Sequence, residues 1–396
     1  MSITAASGFR AAGVWAAIKG SGKPDLALIV SDRPAAAAGV FTVNRFRSVD
    51  VELDEARLAA TGGRASAIVV TSGYANTMTG PGGRRDAVAI GRAAARLLKV
   101  PEREVLISST GAIGFRLPVP RVIRGLRKAV RALAATKEAG MAAARGIMTT
   151  DTHPKQAEAR FSDGGRVFTV GGIAKGVGMV APSMATILVY VTTDAAVPPA
   201  PLRRALVAAC ADTLNAITVD GQMSTNDSAI CLANGAAACR ALSGPGVRRF
   251  AAALHEVCAA LARQLVADGE GATRLIRVSV TGALNAREAA LAARAVADSA
   301  LVKTMFYGRQ ANWGRIAQAL GASGARFDPL RVTVRVGGYP AIRGGLLVKP
   351  RFELYSRLAE AEVPVAIDLG AGRARASVLT CDLTERYVRI NAGYLS

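Results

Sequence analysis

Short runs of β-branched and other apolar residues alternate along this chain with longer Ala-rich stretches whose apolar positions recur every three to four residues. That is the pattern of an α/β protein rather than of a sandwich or a bundle. The runs predict strands over residues 26–31, 66–71, 105–109, 166–170, 187–193, 275–281, 331–336, 363–369 and 386–391. Helical spacing predicts helices over residues 85–99, 120–144, 199–215, 247–267 and 286–300. No repeat at a fixed period and no low-complexity linker divides the 396 residues, so neither marks a domain boundary.

Composition narrows the class. Hydrophobic residues are 51% of the chain and aromatic residues only 5%, so the core is built of Ala, Val, Leu and Ile, and disorder, collagen and a small disulfide scaffold are excluded. Fifty Lys and Arg against 29 Asp and Glu give a net charge of +21, which favours anionic partners. A nucleic-acid partner is not expected. Arg121, Arg124, Arg127, Lys128 and Arg131 share one helix face, without the interleaved aromatic groups or reading motif that nucleic-acid binding requires. An odd number of cysteines (Cys210, Cys231, Cys239, Cys258 and Cys381) without CxxC spacing fits a reducing cytoplasm. The N-terminal stretch lacks the apolar run of a secretory signal. The most apolar helical stretch, 250–266, is interrupted by His255, Glu256, Arg263 and Gln264, so no membrane span is expected.

Several chemistries fail on residue type. With only His153 and His255 and no HExxH spacing, no metal site is expected. The KGSGKPD run at 19–25 has Ala17 where a phosphate loop needs its first glycine, and Pro24 where it needs Ser or Thr. Gly176-Val177-Gly178 is followed by Pro182 and a strand instead of a dinucleotide-binding helix. No GxSxG elbow is present. One segment, KGVGMVAPSMATILVYVTTDA at 175–195, runs from a Gly-rich, Pro-containing stretch abruptly into a strand at Thr186. Thr186 is either an ordinary strand-opening residue or a nucleophile whose hydroxyl attacks the carbonyl of Ala185, converting the peptide to an ester that water cuts. The freed α-amine, with a reference pKa of about 7.7 to 8.0, would then serve as general base beside the hydroxyl.

Met184-Ala185-Thr186 in this setting resembles the self-cleaving site of the glutamate/ornithine N-acetyltransferase family of arginine biosynthesis. The likeness covers nearly the whole chain. It runs through SGFRAAGV at 7–14 and SGKPDLALIVSDRPAAAAGVFTVNRF at 21–46, then ISSTGAIG, GIMTTDTHPK, TVDGQMSTND, DGEGATR, LVKTMFYGRQANWGRI and CDLTERYVRINAGYLS. The resemblance implies layered sheets and helices of the ornithine acetyltransferase fold, processed into an α chain of residues 1–185 and a β chain of 186–396, assembled as an α2β2 heterotetramer. It implies ping-pong transfer of acetyl from N2-acetylornithine to glutamate through acetyl-Thr186. Thr110 and Gly111 would form the oxyanion hole, and Thr149, Lys175, Thr186, Glu270, Asn391 and Ser396 would hold the substrate. Lys175 suits an α-carboxylate and Glu270 the cationic amine of ornithine. Read alone, Lys175 and Glu270 are equally exposed charges in Gly-rich loops, and Thr149 a cap.

No resident cofactor is implied, although acetyl-CoA is an alternative acyl donor; no motif here reads as a CoA site. Two stretches depart from the family's pattern. Gly73-Tyr74-Ala75-Asn76-Thr77 stands where the family has a GNANA run, and Gly221-Gln222-Met223 opens what is usually GDTSTND. Exchanging Asp for Gln222 removes a charge that attracts a cationic substrate. A paralogous acyltransferase, or an N-terminal-nucleophile amidohydrolase acting on a different amino acid, is therefore the alternative.

Overall fold

The computed structural model describes residues 2–181, 187–238, 240–350 and 353–393. They fall into two units, one built on residues 1–215 and 222–265 and the other on 216–221 and 266–394. The strands of the first unit are β1 (Phe9–Val14), β2 (Leu26–Phe41), β3 (Arg64–Ala75), β4 (Val105–Ile113), β5 (Lys155–Asp163), β6 (Arg166–Lys175), β7 (Leu188–Thr193) and β8 (Ser228–Ala233). Among the described residues they make one eight-stranded sheet in the order β4-β3-β2-β8-β7-β6-β5, with β1 also on β2. The pairs β3–β4 and β7–β8 are parallel and the other neighbours antiparallel. A register shift after Val30 lets the long β2 serve two partners, β1 along its first half and β8 along Ala36–Phe41.

Helices α1 (Val49–Ala60), α2 (Gly80–Leu98), α3 (Val119–Arg131), α4 (Lys137–Gly146), α5 (Pro199–Asp212) and α6 (Gly244–Ala267) accompany this sheet. Both faces of the first part of β2, residues 26–31, are buried, which is why its LALIV run is unbroken by polar residues. Leu26, Leu28 and Val30 pack with Ile90 and Ala94 of α2 and Val122 and Leu126 of α3. Ala27 and Ile29 pack with Ala143 and Ala144 of α4. The five basic residues of α3 are all exposed, opposite its buried Val122, Leu126 and Ala129, as a solvated face requires. Helix α6 is long and apolar enough by length and composition to cross a membrane. It nevertheless buries Phe250, Leu254, Val257, Cys258, Leu261 and Leu265, the behaviour of a core helix.

The second unit contains β9 (Leu275–Ala283), β10 (Thr333–Val336), β11 (Tyr339–Arg343), β12 (Leu346–Leu347), β13 (Glu362–Asp368) and β14 (Ala374–Cys381). They form a sheet ordered β12-β11-β10-β13-β9-β14, with β13–β9 parallel. Its helices are α7 (Ala286–Asp298), α8 (Ala300–Tyr307), α9 (Gly314–Gly321), α10 (Glu353–Leu358) and α11 (Glu385–Gly393). The core joins Ile276, Val278 and Val280 to Ala289, Ala293 and Val296 of α7.

The predicted α/β alternation is what the fold shows, with two corrections of type. The strand expected over 386–391 is instead α11, a helix with no buried residue, so no sheet face was available to use its β-branched residues. The single helix expected over 120–144 is two. The chain breaks at Ala134, which bridges to Ala11 of β1 by two backbone hydrogen bonds, and restarts where Thr136 caps α4 by accepting from the Ala139 N–H at 3.2 Å. Helices α1, α8, α9 and α10 and strands β1, β5, β8, β11, β12 and β14 were not foreseen.

The expected boundary after Ala185 does not coincide with the division into units; it lies inside the first. Strand β7 pairs with β6 from Lys175↔Leu188 onward and with β8 on its other side. Segments from both sides of that boundary thus share one sheet. Packing of β1 on α4 is equally close: a Cβ added at Gly13 would stand 1.8 Å from the Ala142 carbonyl oxygen. Gly13→Ala is accordingly expected to destabilise the protein by roughly 1–3 kcal/mol through overpacking, read as a lower denaturation midpoint in urea.

Candidate active site

Strands β3 and β4 run parallel with Ser72 opposite Thr110 and Gly73 opposite Gly111. At that pair the two backbones approach so closely that a Cβ on Gly111 would lie 2.3 Å from the Gly73 carbonyl carbon. Gly73 and Gly111 have φ of +133° and +129°, values only glycine adopts without strain. Thr110 is buried just before this kink.

Its hydroxyl oxygen accepts a hydrogen bond of 3.2 Å from Nζ of Lys175, at the end of β6. An oxygen that accepts from an ammonium is a stronger donor through its own O–H. The structure therefore brings together two residues that lie 65 positions apart in sequence. Lys175 is only 2% exposed, so the reading of it as a solvated loop charge is excluded.

The buried ammonium is matched by Asp151. Burial pushes the Asp151 carboxyl up, but the charges of Lys175 and Lys155 outweigh it and hold it below the usual carboxylate range. One carboxylate oxygen takes the Lys155 ammonium at 2.6 Å and the Gly176 N–H at 3.1 Å; the other takes the Thr149 N–H at 3.0 Å. Thr149 is held by Asp151 in a bend, not as a helix cap. Sequence reasoning quoted the TTDTHPK stretch without assigning Asp151 or Lys155; an acid and a base four residues apart were the available signal.

A second buried network clamps the peptide before Thr110. Asn226 Nδ2 donates to the Ser109 carbonyl at 2.9 Å, and the Asn76 N–H donates to the Ser109 hydroxyl at 2.9 Å. Ser109 in turn donates to Asp50, which also accepts from Asn76 Nδ2 at 2.7 Å. Burial pushes Asp50 up to about 6 against these hydrogen bonds. Next to Asn226, the buried Asp227 accepts the Ile187 N–H at 2.8 Å, and burial raises its carboxyl well above the ordinary range. Ala185, Thr186 and Ser396 lie outside the described residues. Of the two departures, Tyr74 packs against Phe115 with ring centroids 5.9 Å apart, and Gln222 is exposed.

In the second unit Glu270 is buried and accepts a hydrogen bond of 2.7 Å from Asn391 Nδ2 on α11. The base of α11 is tied to the same turn, since the Thr384 hydroxyl donates to the Gly271 carbonyl at 2.8 Å. Glu270 is thus no solvated loop charge, and it is paired with the other residue expected to touch substrate. Among the described residues no three His, Cys, Asp or Glu side chains are placed to hold a metal ion.

A buried threonine hydroxyl at a glycine-made strand kink, hydrogen-bonded to a buried lysine near a carboxylate, is an arrangement suited to acyl transfer. The chain matches the ArgJ family over residues 10–396 and belongs to it, an N-acyltransferase of arginine biosynthesis. It is 48% identical to the arginine biosynthesis bifunctional protein ArgJ of Symbiobacterium thermophilum, over 99% of this chain and 98% of that one. The ArgJ protein of Geobacter sulfurreducens is 46% identical over 98% of each. A crystal structure of the ArgJ protein of Bacillus halodurans is 41% identical with a TM-score of 0.50, covering 52% of this chain and 98% of that one.

Asn226→Ala removes the donor to the Ser109 carbonyl and the acceptor for the Thr77 hydroxyl, both buried. The expected cost is about 1–3 kcal/mol, measured as a drop in stability by chemical denaturation.

Proposed function

We propose that this protein is a ping-pong acetyltransferase that moves acetyl from N2-acetylornithine to glutamate, using Thr186 as an N-terminal nucleophile. The observation that carries the reading is the Lys175–Thr110 contact, which sets a carboxylate-binding ammonium against an oxyanion donor. Maturation comes first. The Thr186 hydroxyl attacks the Ala185 carbonyl, the C–N bond breaks as an ester forms, and water hydrolyses that ester to leave the Ala185 carboxylate and a free Thr186 amine.

In the first half-reaction the Thr186 hydroxyl attacks the acetyl carbonyl while its own α-amine takes the proton. The Thr110 hydroxyl and the Gly111 N–H hold the oxyanion, worth roughly a hundred-fold or more per donor. Collapse expels the α-amine of ornithine, which takes the proton, and leaves acetyl-Thr186. The glutamate amine then attacks this ester, and N-acetylglutamate leaves as the threonine hydroxyl is restored. Lys175 pairs with the α-carboxylate and Glu270 with the ornithine side-chain amine, while Thr149, Asn391 and Ser396 complete the binding set.

Three features support self-cleavage. Asp227 holds the residue directly after Thr186 by its backbone N–H. Strand β7 is paired on both sides, so the cut chains stay in one sheet. The Bacillus halodurans chain is matched over 98% of its length yet spans only 52% of this one, close to the half that a cut after Ala185 leaves. An α2β2 assembly of the cut chains in the cytoplasm belongs to the same reading. The word bifunctional in the relatives' names favours a second donor, acetyl-CoA, acylating Thr186 in place of acetylornithine.

Intact-mass analysis under denaturing conditions is expected to show two polypeptides, the second beginning at Thr186, with Thr186→Ala giving one uncut chain devoid of transfer. Normal processing and full turnover in Thr186→Ala would overturn the mechanism. Glu270→Gln is expected to raise KM for acetylornithine about ten-fold or more, the loss of one good ion pair, with a much smaller change for glutamate; equal effects on both would remove its assigned role.

A further inference from the structure

A second lysine borders this site. Lys19 lies within the loop of residues 15–25 between β1 and β2 that is held by the buried Asp25, whose carboxylate accepts the N–H groups of Ala16, Ile18 and Lys19 at 2.6, 2.7 and 2.9 Å. Its stem lies on Gly73: a Cβ there would be 3.0 Å from Lys19 Cγ. Gly73 is the residue packed against Gly111 of the oxyanion pair. The Lys19 ammonium donates to the Met148 carbonyl at 2.9 Å, one residue before Thr149. Lys19 is therefore placed against both the kinked strand pair and the Thr149 bend by a loop with a fixed backbone.

A second ammonium acts on it. Burial lowers the Lys19 pKa to about 8, with Asp25 and Asp151 opposing and the charges of Lys175 and Lys23 adding to the effect. Asp25 is engaged by three backbone N–H groups and Asp151 by Lys155 and two more. The Lys19 and Lys175 ammonium groups act on one another across this site, and a carboxylate bound between them relieves that repulsion. Resting on the transfer proposed above, the two substrates differ in this respect: acetylornithine carries one carboxylate and a cationic side chain, glutamate two carboxylates.

We propose that Lys19 is a second carboxylate-binding lysine of this site, receiving the side-chain carboxylate of the glutamate acceptor while Lys175 holds its α-carboxylate. In that role Lys19 selects the acceptor by pairing with its acidic side chain.

The test uses the full-length, processed protein with Lys19→Met and Lys19→Arg. Calorimetric titration is expected to show that the parent binds glutamate at least about ten-fold more tightly than glutamine, the equivalent of one charge pair. Lys19→Met is expected to abolish that preference, and Lys19→Arg to keep most of it. In turnover, Lys19→Met is expected to raise KM for glutamate by a similar factor while KM for acetylornithine stays within about two-fold. A glutamate preference that survives in Lys19→Met, or its absence in the parent, would overturn the assignment. The burst of ornithine released from acetylornithine without acceptor is read separately. Its absence in the parent defeats the acetyl-Thr186 reading, whereas a normal burst with unchanged acceptor preference in Lys19→Met defeats only the role of Lys19.

Discussion

An ammonium taken out of water costs several kcal/mol unless an opposite charge and further hydrogen bonds receive it. Lys175 is nearly fully buried, and much of the first unit's site geometry follows from meeting that cost. Asp151 supplies the charge, but it is itself buried and must also be satisfied. It does so by fixing Lys155, the backbone of Thr149 and the backbone of Gly176. One ion cluster therefore sets the positions of two residues expected to touch substrate. The Lys175 ammonium also donates to Thr110, which couples the end of β6 to β4.

The second constraint is the approach of β3 to β4 at Gly73 and Gly111. Side chains are excluded from the contact, because a Cβ on Gly111 would meet the Gly73 backbone. Asn226, Asn76 and Asp50 hold Ser109, the residue just before Thr110, from three separate elements or loops. In the proposed reaction a donor pair held in this way would need little reorganisation as negative charge develops, which is where such donors gain their effect.

Strands buried on both faces were legible in the sequence, because LALIV in β2 and ILVYV leading into β7 have no polar alternation to confuse them. Strand β5, with its alternating burial, and the small-residue β14 had no such run. The β-branched Val388 and Ile390 misled in the other direction, since local preference for strand yielded to a helix packed by its turn contacts. Family resemblance carried Thr110, Gly111, Thr149, Lys175, Glu270 and Asn391. It did not reveal Asp151, Asn226 or Asp227, whose roles are hydrogen bonds to backbone and side chains. For Asn226 that partner, Ser109, lies 117 residues away. No periodicity reports a contact of that kind. The KGSGKPD run, dismissed as a failed phosphate loop, holds Lys19 and Asp25, and its importance lies in the shape that Asp25 gives it.

Strand β7 sits between β6 and β8, with the residue 185–186 bond upstream of it and β6 on the far side of that bond. Before a cut there, β6 finds β7 as part of the same chain, at an effective concentration set by a short tether. After it, the same strand pairing joins two molecules. Refolding then becomes second order in protein, and the unfolding equilibrium acquires a concentration dependence that the uncut precursor lacks. Processing would make folding of the first unit a one-time event, with persistence governed afterwards by how slowly the sheet opens rather than by how readily it re-forms.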